Sequence, residues 1–182
     1  MRRGVPQIFL AAVTVTATAV ACSQTVTGTA QRAESEAVDA TRSYGYVDDR
    51  CGLLDDSSVQ ETLGAAEVTR PYSGAVCQYI LARRSRSGSS TTIDVTFSWF
   101  ETGELERERR LAEARGAVIT EFDVERHKAF SARRDTTGAA CSVTAAAGTG
   151  VLSWWVQLRG QKTGDPCAEA QKLMAATLQS DL

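Results

Sequence analysis

The chain has 182 residues, 43% of them hydrophobic and 23% charged, with a formal net charge of −2 and a pI near 5.5. That length suits one folded domain with a tail, and the composition excludes collagen-like, coiled-coil and wholly disordered classes. The near-neutral charge argues against a broad nucleic-acid footprint, so no nucleic-acid partner is expected.

The first stretch, MRRGVPQIFLAAVTVTATAVACSQ, has the three-part layout of an export leader. Arg2 and Arg3 form the basic start. Ile8 to Ala21 form an uncharged run of 14 residues, interrupted by Thr14, Thr16 and Thr18. The run is short for a membrane span. It ends in Ala19-Val20-Ala21-Cys22, the layout of a bacterial lipobox. Cleavage before Cys22, with a diacylglyceryl group of palmitate-type chains on its thiol, would anchor the protein at the extracytoplasmic face of the cell membrane. A plain secreted protein cut near Ala21 and a retained span are the alternatives. Loss of Arg2 and Arg3 leaves 18 basic and 22 acidic residues, a mature charge of −4. Ser23 to Arg42 is polar and mixed in charge, with Val26 and Val38 and no aromatic residue. It buries too little to fold and reads as a tether. The expected organisation is a signal at 1–21, a lipidated tether at 22–46 and a folded domain at 47–182.

Within the domain, Asp55 is a helix cap, Leu54 and Val59 form a hydrophobic staple, and Gly64 is the stop. Strands are expected at Val76 to Ala82 and Thr91 to Trp99, joined by a polar loop, Arg83 to Ser90. Ile93, Val95, Phe97 and Trp99 share one face of the second strand, and Asp94, Thr96 and Ser98 the other. A charged helix follows over Glu104 to Arg115, with Glu106 and Arg110 at the favourable spacing of four. Further strands are expected at Ala117–Asp123, His127–Arg133, Ala139–Ala145 and Val151–Arg159. Asp165-Pro166 opens the last helix, whose packing face is Cys167, Ala170, Met174 and Leu178. Helix, two strands, helix, four strands and helix lack a regular alternation. The expected fold is therefore α+β, a mainly antiparallel sheet covered by helices.

With Cys22 set aside for lipid, Cys51, Cys77, Cys141 and Cys167 remain. An even count in an exported domain implies disulfides, and four cysteines allow three pairings. The separations favour Cys51–Cys77 and Cys141–Cys167, because both equal 26 residues. Each bridge would stabilise by about 2–4 kcal/mol. The equal spacing also suits an old duplication, though little else repeats. Zinc is the weaker reading, since there is no close Cys-x-x-Cys pair.

Cys22, Cys51, Val76-Cys77-Gln78, Phe97-Ser98-Trp99-Phe100, Glu106-Arg107-Glu108-Arg109, His127-Lys128-Ala129-Phe130, Cys141-Ser142-Val143 and Pro166-Cys167 form an ordered set. In these the chain resembles an uncharacterised actinobacterial envelope lipoprotein family. It is a domain-of-unknown-function family that includes the mycobacterial lipoproteins LprB and LprC. The resemblance implies an exported, lipid-anchored, disulfide-bonded domain and brings no catalytic residue with it.

Chemistry-bearing residues are sparse. His127 is the one histidine, a base or pH-sensitive group if it is not an ordinary strand residue. Asp48, Asp49, Asp55 and Asp56 do not match a calcium loop. Arg83, Arg84 and Arg86, with Arg107, Arg109 and Arg110, can meet anionic headgroups or simply be solvated. Gly148-Thr149-Gly150 lacks the Lys-Ser/Thr of a phosphate loop and reads as a turn. Trp154 and Trp155 point to opposite faces, so one enters the core, and the other or Trp99 is left for a partner. No motif calls for a cofactor, a metal or a catalytic set. The sequence therefore favours a membrane-anchored binding or accessory module, non-catalytic, for an envelope protein, glycan or lipid. A cell-envelope enzyme and a lipid carrier are the alternatives.

Overall fold

The computed structural model describes residues 39, 41–84, 88, 90–134, 137–160 and 164–180. The leader, Cys22 and most of the tether lie outside the described residues, as do Arg86 and the rest of 85–87. In chain order the elements are β1 (Tyr46–Val47), β2 (Arg50–Cys51), α1 (Asp56–Thr62), β3 (Glu67–Tyr72), β4 (Val76–Arg84) and β5 (Ser90–Phe100). There follow α2 (Leu105–Ala114), β6 (Val118–Val124), β7 (His127–Arg133), β8 (Ala140–Ala147), β9 (Gly150–Arg159) and α3 (Pro166–Gln179).

Seven strands form one antiparallel sheet in the order β3-β4-β5-β9-β8-β7-β6. The expected α+β class, with helices on an antiparallel sheet, is what the structure has. Alternation sets the layers. Tyr79, Leu81, Ile93, Val95, Phe97, Val143, Trp154 and Val156 point to one face and are buried. There they meet Leu173, Met174 and Leu178 of α3, together with Val59 and Leu63 at α1. Trp154 fills the centre. Its ring lies 4.9 Å from Phe97, and its Nε1 donates to Thr177 Oγ1 at 2.9 Å. An indole N–H in a dry core needs such an acceptor. Glu121, Phe130 and Thr144 face the opposite way, toward α2, where Arg109 reaches Glu121 at 3.4 Å.

Local chemistry explains the helix ends. Asp55 accepts from Ser58 N at 2.7 Å, and Leu54 and Val59 are both buried. Asp165 accepts from Cys167 N at 3.0 Å, with Pro166 opening α3. The disulfides are Cys51–Cys77 and Cys141–Cys167. They tie β2 to β4, and β8 to α3.

Three features differ from the sequence reading. Strand β3 is unexpected: its Pro71 and polar residues conceal an edge strand, where a missing N–H is tolerated. The two-residue strands β1 and β2 are too short to show a period. Arg83 and Arg84 close strand β4 rather than forming a loop. Arg83 sits on the core side, where it pairs with Glu169 at 3.2 Å and donates to Leu63 O.

Candidate functional site

Residues 39 and 41–44 form a strap across the edge of the domain. Tyr44, on the boundary between expected tether and domain, is fully buried and packs on Trp99 at 5.8 Å. The strap is held by backbone. Arg42 N donates to Asp39 O at 2.8 Å, Thr149 N to Arg42 O at 3.3 Å, and Gly148 N to Asp39 Oδ1 at 2.8 Å. Tyr44 Oη donates to the other Asp39 oxygen, and Arg42 Nη2 donates to Ser180 O at the end of α3. Burial, reinforced by the Asp39 carboxylate, pushes the Tyr44 phenol well above its ordinary range.

Gly148 makes this close approach feasible. It has φ +52°, and a Cβ there would stand 1.8 Å from Arg42 O. The turn read in Gly148-Thr149-Gly150 thus also docks the strap.

Beneath the strap lies a cleft of about 360 Å³. It is lined by Asp39, Arg42, Tyr44 and the end of α3, and by Glu125, Arg126 and His127 of the β6–β7 hairpin. His127 is buried at the start of β7, its Nδ1 3.0 Å from Ala146 O. That contact requires a proton on Nδ1, which leaves Nε2 as the acceptor of the neutral ring. Asp39 Oδ1 stands 3.8 Å from the same Nδ1. Glu125 and Arg126, exposed on the rim, both have positive φ, 47° and 66°. A two-residue hairpin turn of this hand favours Asn-Gly, and each larger residue there costs about 1–2 kcal/mol. The strained turn therefore carries one anion and one cation to the mouth of the cleft.

Arg42 Nε is sealed from solvent with no acceptor among the described residues. A donor buried in this way calls for an acceptor such as an ordered water.

The remaining candidates disperse. Asp48 pairs with Arg50, and Asp49 and Asp56 pair with Arg70, whereas Asp55 caps α1. The Tyr46 hydroxyl, with Arg70 beside it, holds the Asp49 carboxyl below its usual range. Among the described residues, no group of three His, Cys, Asp or Glu is placed to hold a metal ion. Arg109 binds Glu106, Glu113 and Glu121, so much of the α2 charge is spent internally. Trp154 is the core tryptophan, and Trp155 and Trp99 are half-buried.

Sequence reasoning missed the cleft, because its walls come from residues more than 130 positions apart. One signal was present: Glu125-Arg126, without glycine or asparagine, is the whole gap between two strands.

No curated protein and no solved structure matches the chain. A family model, protein of unknown function (DUF3558), matches residues 17–180, and the chain belongs to that family.

Proposed function

We propose that the protein is a lipid-anchored module of the actinobacterial cell envelope that binds a polar envelope component in the strap cleft without turning it over. The observation that carries the binding reading is the strap cleft itself, where Asp39 and Arg42 of the strap meet His127, Glu125 and Arg126 of the β6–β7 hairpin. A polar component bearing hydroxyl or carboxylate groups would be oriented there by the rim charges of Glu125 and Arg126. The anchor rests on the basic start, the apolar run and Cys22. Two disulfides suit the oxidising side of a membrane, and the family match takes in Cys22 and the other four cysteines. The kinship with LprB and LprC is part of this proposal.

A non-catalytic role is supported by how the cleft groups are engaged. Both Asp39 oxygens accept hydrogen bonds, and His127 points Nδ1 at a carbonyl. The buried His127 beside Asp39 gives a second reading, a cell-envelope enzyme with His127 as general base through Nε2. A lipid carrier would need an apolar cavity between sheet and helices, whereas Trp154, Phe97, Leu173 and Met174 occupy the described layer.

The test is capture of envelope-extract components on the purified protein, with mass spectrometry of both bound and changed species. The binding reading expects a retained component that is unchanged with time and is lost in Arg126→Ala or His127→Ala. Equal capture by both variants contradicts the cleft as the binding site. Time-dependent conversion abolished by His127→Ala replaces the binding reading with the enzyme.

A further inference from the structure

The two disulfides share a local device but differ in access. Each has an arginine against one sulfur: Arg70 Nη1 lies 3.5 Å from Cys51 Sγ, and Arg133 Nη2 lies 3.1 Å from Cys167 Sγ. Cys51 and Cys77 are both 0% exposed, and the side chain of Arg70 is only 9% exposed. That bridge is sealed. In the other, Cys141 is 1% exposed, but Cys167 is half-buried and Arg133 is 34% exposed. Of the two residues of this bridge, Cys167 is the one with solvent-exposed surface.

Cys167 also lies in the first turn of the 14-residue helix α3, where the backbone dipole favours negative charge. A guanidinium at hydrogen-bond distance from the sulfur acts in the same direction, lowering the cost of a thiolate. Asp165 opposes them: its carboxylate caps the Cys167 N–H and pairs with the same Arg133 Nη2 at 2.7 Å. Glu169, one turn on, is already engaged by Arg83 and Lys172.

We infer that Cys141–Cys167 is a thiol–disulfide exchange site, open to dithiol reductants through Cys167, whereas Cys51–Cys77 is structural. A thiolate of the incoming dithiol attacks Cys167 Sγ. The S–S bond breaks, Cys141 leaves with the electron pair and takes up a proton, and a mixed disulfide stands on Cys167. The second thiol of the dithiol then attacks its own partner sulfur in that bond. Cys167 is released as a thiolate held by Arg133. Two electrons have moved: the dithiol is oxidised to a disulfide, and the protein's bridge is reduced to two thiols. The second departure is favoured by Arg133 and the start of α3, which both stabilise negative charge on the leaving Cys167 sulfur.

The experiment is graded dithiothreitol on the native full chain, followed by acid quench, alkylation and peptide mapping of each cysteine. Cys141 and Cys167 are expected to become labelled together while Cys51 and Cys77 remain bridged and the fold is retained. Arg133→Gln removes the cation that draws an incoming thiolate to Cys167 and should slow opening by about three- to tenfold. Asp165→Asn, which keeps a capping side chain, should speed it. Glutathione under the same conditions should leave its adduct on Cys167. Simultaneous opening of both bridges, earlier opening of Cys51–Cys77, or an adduct on Cys141 would each overturn the inference. Should Arg133→Gln fail to fold, the order of opening and the adduct position in the wild-type protein still decide.

Discussion

Replacing Gly148 with alanine tests whether the strap is an integral part of the domain. The residue has φ +52°, and the new Cβ would fall 1.8 Å from Arg42 O, a distance no contact tolerates. The left-handed conformation costs an alanine about 1–2 kcal/mol. The clash adds the loss of the Thr149 N–Arg42 O and Gly148 N–Asp39 hydrogen bonds, at about 0.5–1.5 kcal/mol each. Together these predict a destabilisation of about 2–5 kcal/mol, or a fall in Tm of roughly 5–15 °C for a chain of this size. Gly64 provides the control. Its φ is +58°, and a methyl carbon there would have nothing within 4 Å, so Gly64→Ala should cost only the conformational part. Urea unfolding followed by tryptophan fluorescence gives both numbers, and hydrogen exchange at the Thr149 amide reports the strap directly. If the two variants lie within about 0.5 kcal/mol of each other and the Thr149 amide stays protected, the strap geometry is wrong.

Two further perturbations address the core and the first helix. Thr177→Val preserves shape but orphans the Trp154 indole N–H, at a cost of about 1–3 kcal/mol in urea unfolding; a loss below about 0.5 kcal/mol contradicts that bond. Asp55→Ala removes the α1 cap and should cost about 0.5–2 kcal/mol at neutral pH. The Ser58 backbone N–H and nearby hydroxyls hold the Asp55 carboxyl below its ordinary range. Its contribution is therefore complete above the unfolded value, about 3.9, and is lost as pH falls through the lower folded value. The stability gap between wild type and Asp55→Ala should be constant from about pH 5 upward and close in acid; a gap that widens in acid has the wrong sign.

The framework was legible where side-chain pattern and backbone chemistry agree. Ile93, Val95 and Phe97 alternate with Asp94, Thr96 and Ser98, and that strand is central to the sheet. Asp55 and Asp165 cap because their short side chains reach free amides at the helix starts. The equal cysteine separations named the bridges that the structure has. Legibility failed where meaning depends on distant partners. Arg83 looks like loop charge until Glu169, 86 residues away, is set beside it. Pro71 looks like a strand breaker until β3 is known to be an edge. His127 looks ordinary because Asp39 and Arg42, which make its cleft, belong to a stretch whose composition reads as tether.

Attachment to the membrane through Cys22 is the claim on which the proposed role depends. It is tested most directly by the intact mass and N-terminal peptide of the mature protein recovered from its own membrane fraction. The expected chain begins at Cys22 and carries a diacylglyceryl group on that sulfur, with Cys22→Ser unlabelled and released from the membrane. A mature chain that begins near Cys22 without acyl mass, recovered outside the membrane fraction, would contradict it.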